Sequence, residues 1–302
     1  MSRKGSFFLT NASGKFILLL LSILIGYVAV LILSVLTLFL YASLTGSGPI
    51  SYSDYMNQGD ILLAFNSAIS VLTFLLPSLV TAYLITPTPS EYLSTRSFSP
   101  SCILPLTILS ATILIPFTSL LASWNDAIPF PEWMSVIENA FREQQKMLAD
   151  MTTKLTIMND MNGLFVVLFC IAVIPAICEE FFFRGFVQRF IQELTHKKHL
   201  AVWITAAIFS AIHFEFFAFF PRLLLGAWFG YLLLLTGSIW ITVAAHFTNN
   251  AVFVILMYLQ QRGILGKEAE EFGTGETLWV TYAALLLFIG LQWIIQRQAK
   301  KA

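Results

Sequence analysis

The chain has 302 residues, of which 57% are hydrophobic and only 11% are charged. Because charged residues make up about a quarter of a typical soluble domain, this composition excludes an ordinary soluble globule. The 17 lysine and arginine residues balance the 17 aspartate and glutamate residues, so no overall charge favours nucleic acid or an acidic partner. The three cysteines, Cys102, Cys170 and Cys178, lie in apolar runs without the spacing of a disulfide framework or a metal site. We interpret them as small packing residues.

Long apolar runs separated by short polar stretches predict an all-α fold, a polytopic transmembrane bundle of about eight helices. The predicted spans are residues 16–43, 61–86, 102–123, 163–187, 200–220, 222–237, 239–259 and 277–296. The first run follows a basic N-terminus but is too long for the apolar region of a signal peptide, so we expect it to be retained as a span.

The lysine and arginine residues between the spans predict the orientation of the bundle, because cytoplasmic loops carry the excess of positive charge. With a cytoplasmic N-terminus, ten of them fall on the cytoplasmic side: Arg3, Lys4, Lys15, Arg96, Arg189, Lys197, Lys198, Arg297, Lys300 and Lys301. Six fall on the other side: Arg142, Lys146, Lys154, Arg222, Arg262 and Lys267. We therefore predict an integral protein of the plasma (inner) membrane with both termini in the cytoplasm.

The long segment between the third and fourth spans, residues 124–162, is the longest stretch outside the predicted spans. Between Glu132 and Lys154, apolar residues recur at helical spacing beside charged ones, a pattern typical of a helix that lies on the membrane surface. Two roles stay open for this helix: packing over the extracytoplasmic end of the bundle, and a lid that handles substrate.

A few ionisable and amide side chains lie inside the predicted spans. A charge at this depth costs ~2.5–3.5 kcal/mol on insertion scales and marks either function or a paired structural site. The polar residues are Glu179, Glu180 and Arg184 in the fourth span, His213 and Glu215 in the fifth, and His246, Asn249 and Asn250 in the seventh. Their depths along the helices agree, which predicts one site below the bilayer surface that is reached from the cytoplasm.

Helical spacing separates the two adjacent glutamates. Glu180 and Arg184 are four residues apart and share a helix face, which predicts an ion pair. Glu179 is rotated by about 100° from Glu180, so it points at a neighbouring helix and stays available. We interpret Glu179 as the working carboxylate and Glu180 as its support. Glu215 and Arg222, nearer the ends of their helices, are interpreted as structural.

The remaining polar groups suit acid and base chemistry on a carbonyl group. Glu179 is the candidate general base that takes a proton from water, and His213 can orient that water. His246 and Asn250 can donate hydrogen bonds to an oxyanion. In one alternative, Glu179, His213 and His246 bind Zn²⁺, since two histidines and one carboxylate leave a position open for water. In another, the histidines and the asparagine only hold helices together.

Three short motifs follow one another on separate apolar spans: EExxxR at Glu179 to Arg184, FxxxH at Phe209 to His213, and HxxxN at His246 to Asn250. In these motifs the chain resembles the CAAX-protease and bacteriocin-processing (CPBP, Abi) family of intramembrane endopeptidases, which is related to the CAAX prenyl endopeptidases. The resemblance covers residues 163–260, which we take as the catalytic core. Residues 1–162 hold the first three spans and the surface segment, and residues 261–302 hold the last span and a basic tail.

The resemblance implies a helical bundle with a cavity open to the cytosol, and hydrolysis of peptide bonds near the membrane. It implies six functional residues: Glu179, Glu180, Arg184, His213, His246 and Asn250. The first glutamate activates water with the first histidine, and the second histidine holds the oxyanion with the asparagine. The second glutamate and the arginine hold the first glutamate and the substrate in place.

We therefore predict an intramembrane endopeptidase that is glutamate-dependent or, alternatively, zinc-dependent. Its expected partners are membrane lipids and a lipid-modified or membrane-associated peptide or protein at the cytoplasmic face, and no nucleic acid. The alternative is a non-proteolytic partner-binding or immunity protein of the same fold, or a proton-coupled transporter. The complete motif set favours the enzyme, and no inverted repeat supports a transporter. Pro175 is expected to kink the fourth span and open the cavity.

Overall fold

The computed structural model describes residues 11–45, 59–97, 102–266 and 272–301 of the chain. Within these ranges every regular element is a helix and there is no β-strand, which confirms the predicted all-α fold. Arg3, Lys4 and Lys267, which contribute to the predicted orientation, lie outside the described residues.

We number the longer helices of the described residues α1 to α9 in chain order. Helix α1 is Ala12–Thr45, and α2 runs from Gly59–Ser70 through a wide π-helical turn, Val71–Leu75, to Leu76–Ile85. Helix α3 comprises Ile103–Ile113 and Ile115–Asp126, α4 is Ser135–Leu155, and α5 is the long helix Met161–Thr195. The last four are α6 Lys198–Ala211, α7 Phe219–Thr236, α8 Ile239–Gln261 and α9 Leu278–Ala299.

Among the described residues, seven helices are long and apolar enough to cross a membrane. The other apolar helix, α6, has 14 residues; at 1.5 Å per residue it is about 21 Å long, shorter than a hydrocarbon core of about 30 Å. The predicted span over residues 200–220 thus ends earlier than expected. The chain turns after Ala211, and Phe214 adopts a positive φ of 54°. Residues 212–220 are nearly all apolar, so hydropathy does not reveal this turn.

The outer faces of the bundle are apolar and exposed. On α1, Ile25, Val35 and Phe39 are 68%, 66% and 72% exposed, and on α9 Leu286 is 73% exposed. Exposed apolar patches of this extent do not persist in water on a monomeric protein. Lipid is therefore the solvent of these faces, and the polar residues described below lie inside the bundle.

Two glycines let α7 approach α5 and α6 closely. A Cβ atom at Gly226 would lie 3.2 Å from Arg184 Nη2, and one at Gly230 would lie 2.7 Å from Gln188 Oε1. Both side chains donate to the bare backbone they reach: Arg184 Nη2 to the Gly226 carbonyl at 3.0 Å and Gln188 Nε2 to the Gly230 carbonyl at 3.2 Å. This is the small-xxx-small contact of membrane helices, and it fixes the level of Arg184 in the bundle.

Helix α4 packs over the turn between α6 and α7. Phe141 of α4 stacks on Phe216, with ring centroids 5.1 Å apart, and Arg142 forms an ion pair with Asp126. Met147 on another face of α4 is 64% exposed. The structure thus places this helix at the end of the bundle, and a lid function for it stays a prediction.

Candidate active site

The two adjacent glutamates lie near the middle of α5, where the helix changes its geometry. The regular α-helical stretch Ile174–Glu180 is flanked by wide π-helical turns at Leu168–Val173 and Phe181–Gln188. Such turns are uncommon and are frequently found at functional sites. Periodicity in the sequence does not reveal them, because the same apolar residues fit both helix types.

Pro175 explains one contact between α5 and α8. A proline has no N–H, so it cannot bond to the carbonyl four residues earlier, which is that of Ile171. The side-chain amide of Asn250 on α8 donates to this carbonyl, at 3.4 Å. Asn250 therefore ties α8 to the irregular part of α5, the helix-to-helix role that the sequence left open for it.

Glu180 is fully buried and joins two partners. Arg184 Nη1 lies 3.1 Å from Glu180 Oε1, which confirms the predicted ion pair. His246 Nδ1 lies 2.9 Å from the same oxygen, and because a carboxylate only accepts, the ring nitrogen donates. From the sequence, Glu180 is predicted to support Glu179. In the structure its carboxylate instead accepts a hydrogen bond from His246.

Glu179 stands on the other side of His246. Its Oε2 lies 3.9 Å from His246 Nε2, beyond hydrogen-bond distance, and its side chain is 13% exposed whereas that of Glu180 is 0% exposed. Both atoms therefore keep their hydrogen-bonding capacity for another group. This difference between the two carboxylates is the one expected from their helical spacing.

Aromatic rings surround His246 and Arg184. The Phe229 ring stacks on the His246 ring with centroids 5.2 Å apart, and the Phe209 ring meets it edge-on at 5.9 Å. The Arg184 guanidinium lies 4.5 Å from the centroid of the Phe209 ring. Phe209 thus packs against both side chains, which gives the first residue of the FxxxH motif a physical role.

His213 lies just beyond the C-terminal end of α6 rather than inside a span. Its Nδ1 donates to the carbonyl of Phe209 at 2.7 Å, which leaves Nε2 as an acceptor in the neutral ring. The ring lies edge-on to that of Phe209, with centroids 5.1 Å apart. Its orientation is therefore fixed by the last turn of the helix.

A cavity of about 270 Å³ brings the predicted site residues together. Its walls include four of them, Glu179, His213, His246 and Asn250, and its other lining residues are Phe209, Ala218, Pro221, Arg222, Leu225, Phe229 and Asn249. The remaining two, Glu180 and Arg184, lie behind His246 and do not line it. The geometry therefore divides the predicted set into cavity residues and supporting residues.

The cavity extends to the first turn of α7, which adjoins the α6–α7 turn. The Lys- and Arg-rich connection between α5 and α6 lies at the opposite end of these helices. On the predicted orientation, the α6–α7 turn is extracytoplasmic. Two of the predictions therefore disagree. With cytoplasmic termini the α6–α7 end is extracytoplasmic, whereas entry from the cytoplasm requires the cavity mouth at the opposite end. The described cavity extends to the α6–α7 end.

The donor set does not fit the predicted zinc alternative. In the described part of the chain, no group of three His, Cys, Asp or Glu side chains is placed to hold a metal ion. His246 uses Nδ1 on Glu180, and its Nε2 lies 3.9 Å from Glu179. The reaction proposed for this site therefore uses no metal ion.

Arg222 belongs to the site, whereas a structural role was predicted for it from the sequence. It forms the ion pair with Glu215 that makes that interpretation reasonable, but it also lines the cavity with Glu179. Phe229, which stacks on His246, was missed as well. The spacing of Arg222, Gly226 and Phe229 at three to four residues on one apolar helix was the available signal.

Fold and site together define a polytopic helical membrane protein with a buried Glu–Arg–His cluster behind a cavity that holds a second glutamate. Residues 161–252 match a family model described as type II CAAX prenyl endopeptidase Rce1-like. This segment is an Rce1-like domain of the CAAX protease family, as the motifs predicted, and it contains all three of them. Comparisons with curated proteins and with solved structures found no match.

Proposed function

We propose that the protein is a glutamate-dependent intramembrane endopeptidase that hydrolyses a peptide bond of a membrane-associated or lipid-modified substrate. One observation carries the proposal. Glu179 and His246 face each other across one cavity at 3.9 Å without bonding, while Glu180 and Arg184 hold His246 from behind. An unbonded carboxylate beside a fixed imidazole is a general base next to a hydrogen-bond donor.

The proposed reaction begins with water in the cavity. Glu179 takes a proton from the water as its oxygen attacks the carbonyl carbon of the substrate, and His213 Nε2 accepts a hydrogen bond from the same water. Glu180 accepts the Nδ1–H of His246 and fixes the ring, and in its doubly protonated form the ring donates Nε2–H to the oxyanion. An N–H of the Asn250 amide completes the oxyanion contacts.

Collapse of the tetrahedral intermediate breaks the C–N bond. The proton that Glu179 took from water goes to the leaving nitrogen, so the products are a carboxylic acid and an amine and Glu179 returns to its ionised form. Glu180 and Arg184 do not exchange protons in this scheme. Their role is to hold His246 in one orientation.

We propose that both termini are cytoplasmic and that the substrate enters from the α6–α7 end of the bundle. The orientation of the bundle follows from the excess of Lys and Arg at the end opposite the α6–α7 turn, because cytoplasmic loops carry this excess. The entry route is supported by the extension of the cavity to Arg222, and it replaces the route from the cytoplasm expected from the sequence.

The test uses the purified full chain in lipid nanodiscs with a library of membrane-tethered peptides, read by mass spectrometry. We expect cleavage by the wild type and none by Glu179→Ala or His246→Ala. Glu193→Gln is the matched control, because Glu193 lies at the surface and pairs with Lys15 and Arg189. Cleavage that survives in Glu179→Ala would overturn the mechanism, and no cleavage by the wild type would favour a binding or immunity protein.

A chelator separates this proposal from the zinc alternative. Because the proposed steps use only side chains and water, prolonged EDTA treatment should leave the cleavage rate unchanged. Loss of activity on chelation, with recovery after added Zn²⁺, would contradict the proposal.

A further inference from the structure

Arg222 lies in an unfavourable place for a positive charge. It is in the first turn of α7, where the helix dipole makes the helix end electropositive. Its Nη2 forms an ion pair with Glu215, which precedes the helix. This pair offsets the charge in part, but Glu215 engages one side of the guanidinium fork only.

The other side of the fork is unused. Arg222 Nη1 is buried and has no hydrogen-bond partner among the described residues. An unpaired buried donor on a charged group is strongly unfavourable, so such a group marks a position that another molecule completes. Arg184 also has nitrogens without a hydrogen-bond partner among the described residues, Nε and Nη1, but it lies 3.1 Å from the buried Glu180 carboxylate and does not line the cavity of Glu179. Arg222 differs because it lines that cavity.

Arg222 lines the same cavity as Glu179 and His246. On α7 it precedes Phe229, the ring stacked on His246, by two helical turns, a rise of about 10 Å. A cation on the wall of this cavity lies within reach of a bound peptide. A guanidinium fork is the side chain best matched to a carboxylate.

We propose that Arg222 is a substrate-binding residue that accepts a carboxylate of the peptide, either the C-terminal carboxylate or an Asp or Glu side chain. The inference rests on the proposed peptidase function and adds the substrate chemistry that the cavity selects. Glu215 holds one side of the guanidinium, and the substrate carboxylate approaches the Arg222 side chain, which is 21% exposed, from the cavity.

The test compares three peptides of equal length that carry the same cleavable bond. One has a free C-terminal carboxylate, one has a C-terminal amide, and one has the amide plus an Asp side chain near its end. We expect the wild type to show a KM ~10–100-fold lower for one of the two carboxylate peptides than for the plain amide, as a charge-assisted hydrogen bond provides. Whichever of these two peptides has the lower KM identifies the source of the carboxylate, the C-terminus or the Asp side chain.

Arg222→Gln should raise the KM of the preferred carboxylate peptide to that of the plain amide, while Arg222→Lys should keep part of the preference because the charge remains. Arg142→Gln is the matched control, since that arginine pairs with Asp126 outside the cavity. Equal losses on all three peptides would show a structural role and overturn the inference. An equal KM for all three in the wild type would overturn it too.

A binding readout keeps the inference testable if the arginine variants are poorly active. In Glu179→Gln, which leaves the peptide intact, the preferred carboxylate peptide should raise the thermal midpoint more than the amide does. The difference should vanish in the double variant Glu179→Gln/Arg222→Gln. If the wild type cleaves no peptide but this difference is present, the peptidase proposal fails and carboxylate binding stands; if the difference is absent, the carboxylate site fails.

Discussion

The charged residues on the two sides of the His246 ring differ in their partners and in their exposure. Behind the ring, Glu180 and Arg184 are fully buried and form an ion pair at 3.1 Å, and Glu180 also accepts a hydrogen bond from His246. In front of it, Glu179 is partly exposed to a cavity, and Arg222 has an unpartnered nitrogen among the described residues. Buried charges persist only when they are paired, so the rear groups are structural supports and the front groups are available to substrate.

This comparison also separates two residues that are neighbours in the chain. Glu179 and Glu180 differ by one position and therefore point in different directions from α5. A single helix can thus supply the support for a histidine and the base that works opposite it. Substitutions on the two sides should have different consequences.

Glu180→Gln should have the largest effect on the folded state. It leaves Arg184 as a buried charge without its partner, which typically costs about 3–5 kcal/mol. We expect a lower thermal midpoint and loss of cleavage together. The thermal midpoint is measured by intrinsic fluorescence on the purified protein, with Glu193→Gln as the surface control. A variant as stable as the wild type would show that the rear pair is not a support.

Gly226→Ala should have the next largest effect. Its Cβ would lie 3.1 Å from Phe209 Cδ1 and 3.2 Å from Arg184 Nη2, and such overpacking costs about 1–3 kcal/mol. We expect reduced thermal stability and a lower cleavage rate, because both contacts hold the rear groups. Gly290→Ala on α9 is the control, since nothing lies within 4 Å of a Cβ atom there. Equal behaviour of the two variants would contradict the described packing.

Ala218→Cys should perturb the protein least and tests the entry side. With the three native cysteines replaced by alanine, a membrane-impermeant maleimide should label this position in intact cells, because Ala218 lines the cavity at the α6–α7 end. Lys197→Cys, in the exposed connection between α5 and α6, should be labelled only after permeabilisation. The reversed pattern would show that the substrate enters from the cytoplasm.

The local part of this architecture was predictable from the sequence. The apolar runs predicted the membrane helices, and the spacing of four residues predicted the pair of Glu180 and Arg184, since both depend on neighbours along one helix. The hydrogen bond from His246 to Glu180 was not predictable from the sequence, because it joins residues 66 positions apart and depends on how α5 and α8 pack.

The end of α6 was also beyond sequence reasoning. Hydropathy does not distinguish a helix from an apolar turn, so the predicted fifth span ran past Ala211. That error placed His213 inside a helix and made Arg222 look remote from the site. The short α6 places the first turn of α7 at the cavity, so Arg222 lines it.

The most direct test of the account is to measure cleavage and thermal stability of Glu179→Gln on the same preparation. This change keeps the shape of the side chain and leaves the pair of Glu180 with Arg184 and His246 intact. We predict a thermal midpoint close to that of the wild type and a loss of cleavage by about 10²–10⁴-fold, the range expected for removal of a general base. A stable variant that still cleaves at the wild-type rate would contradict the account.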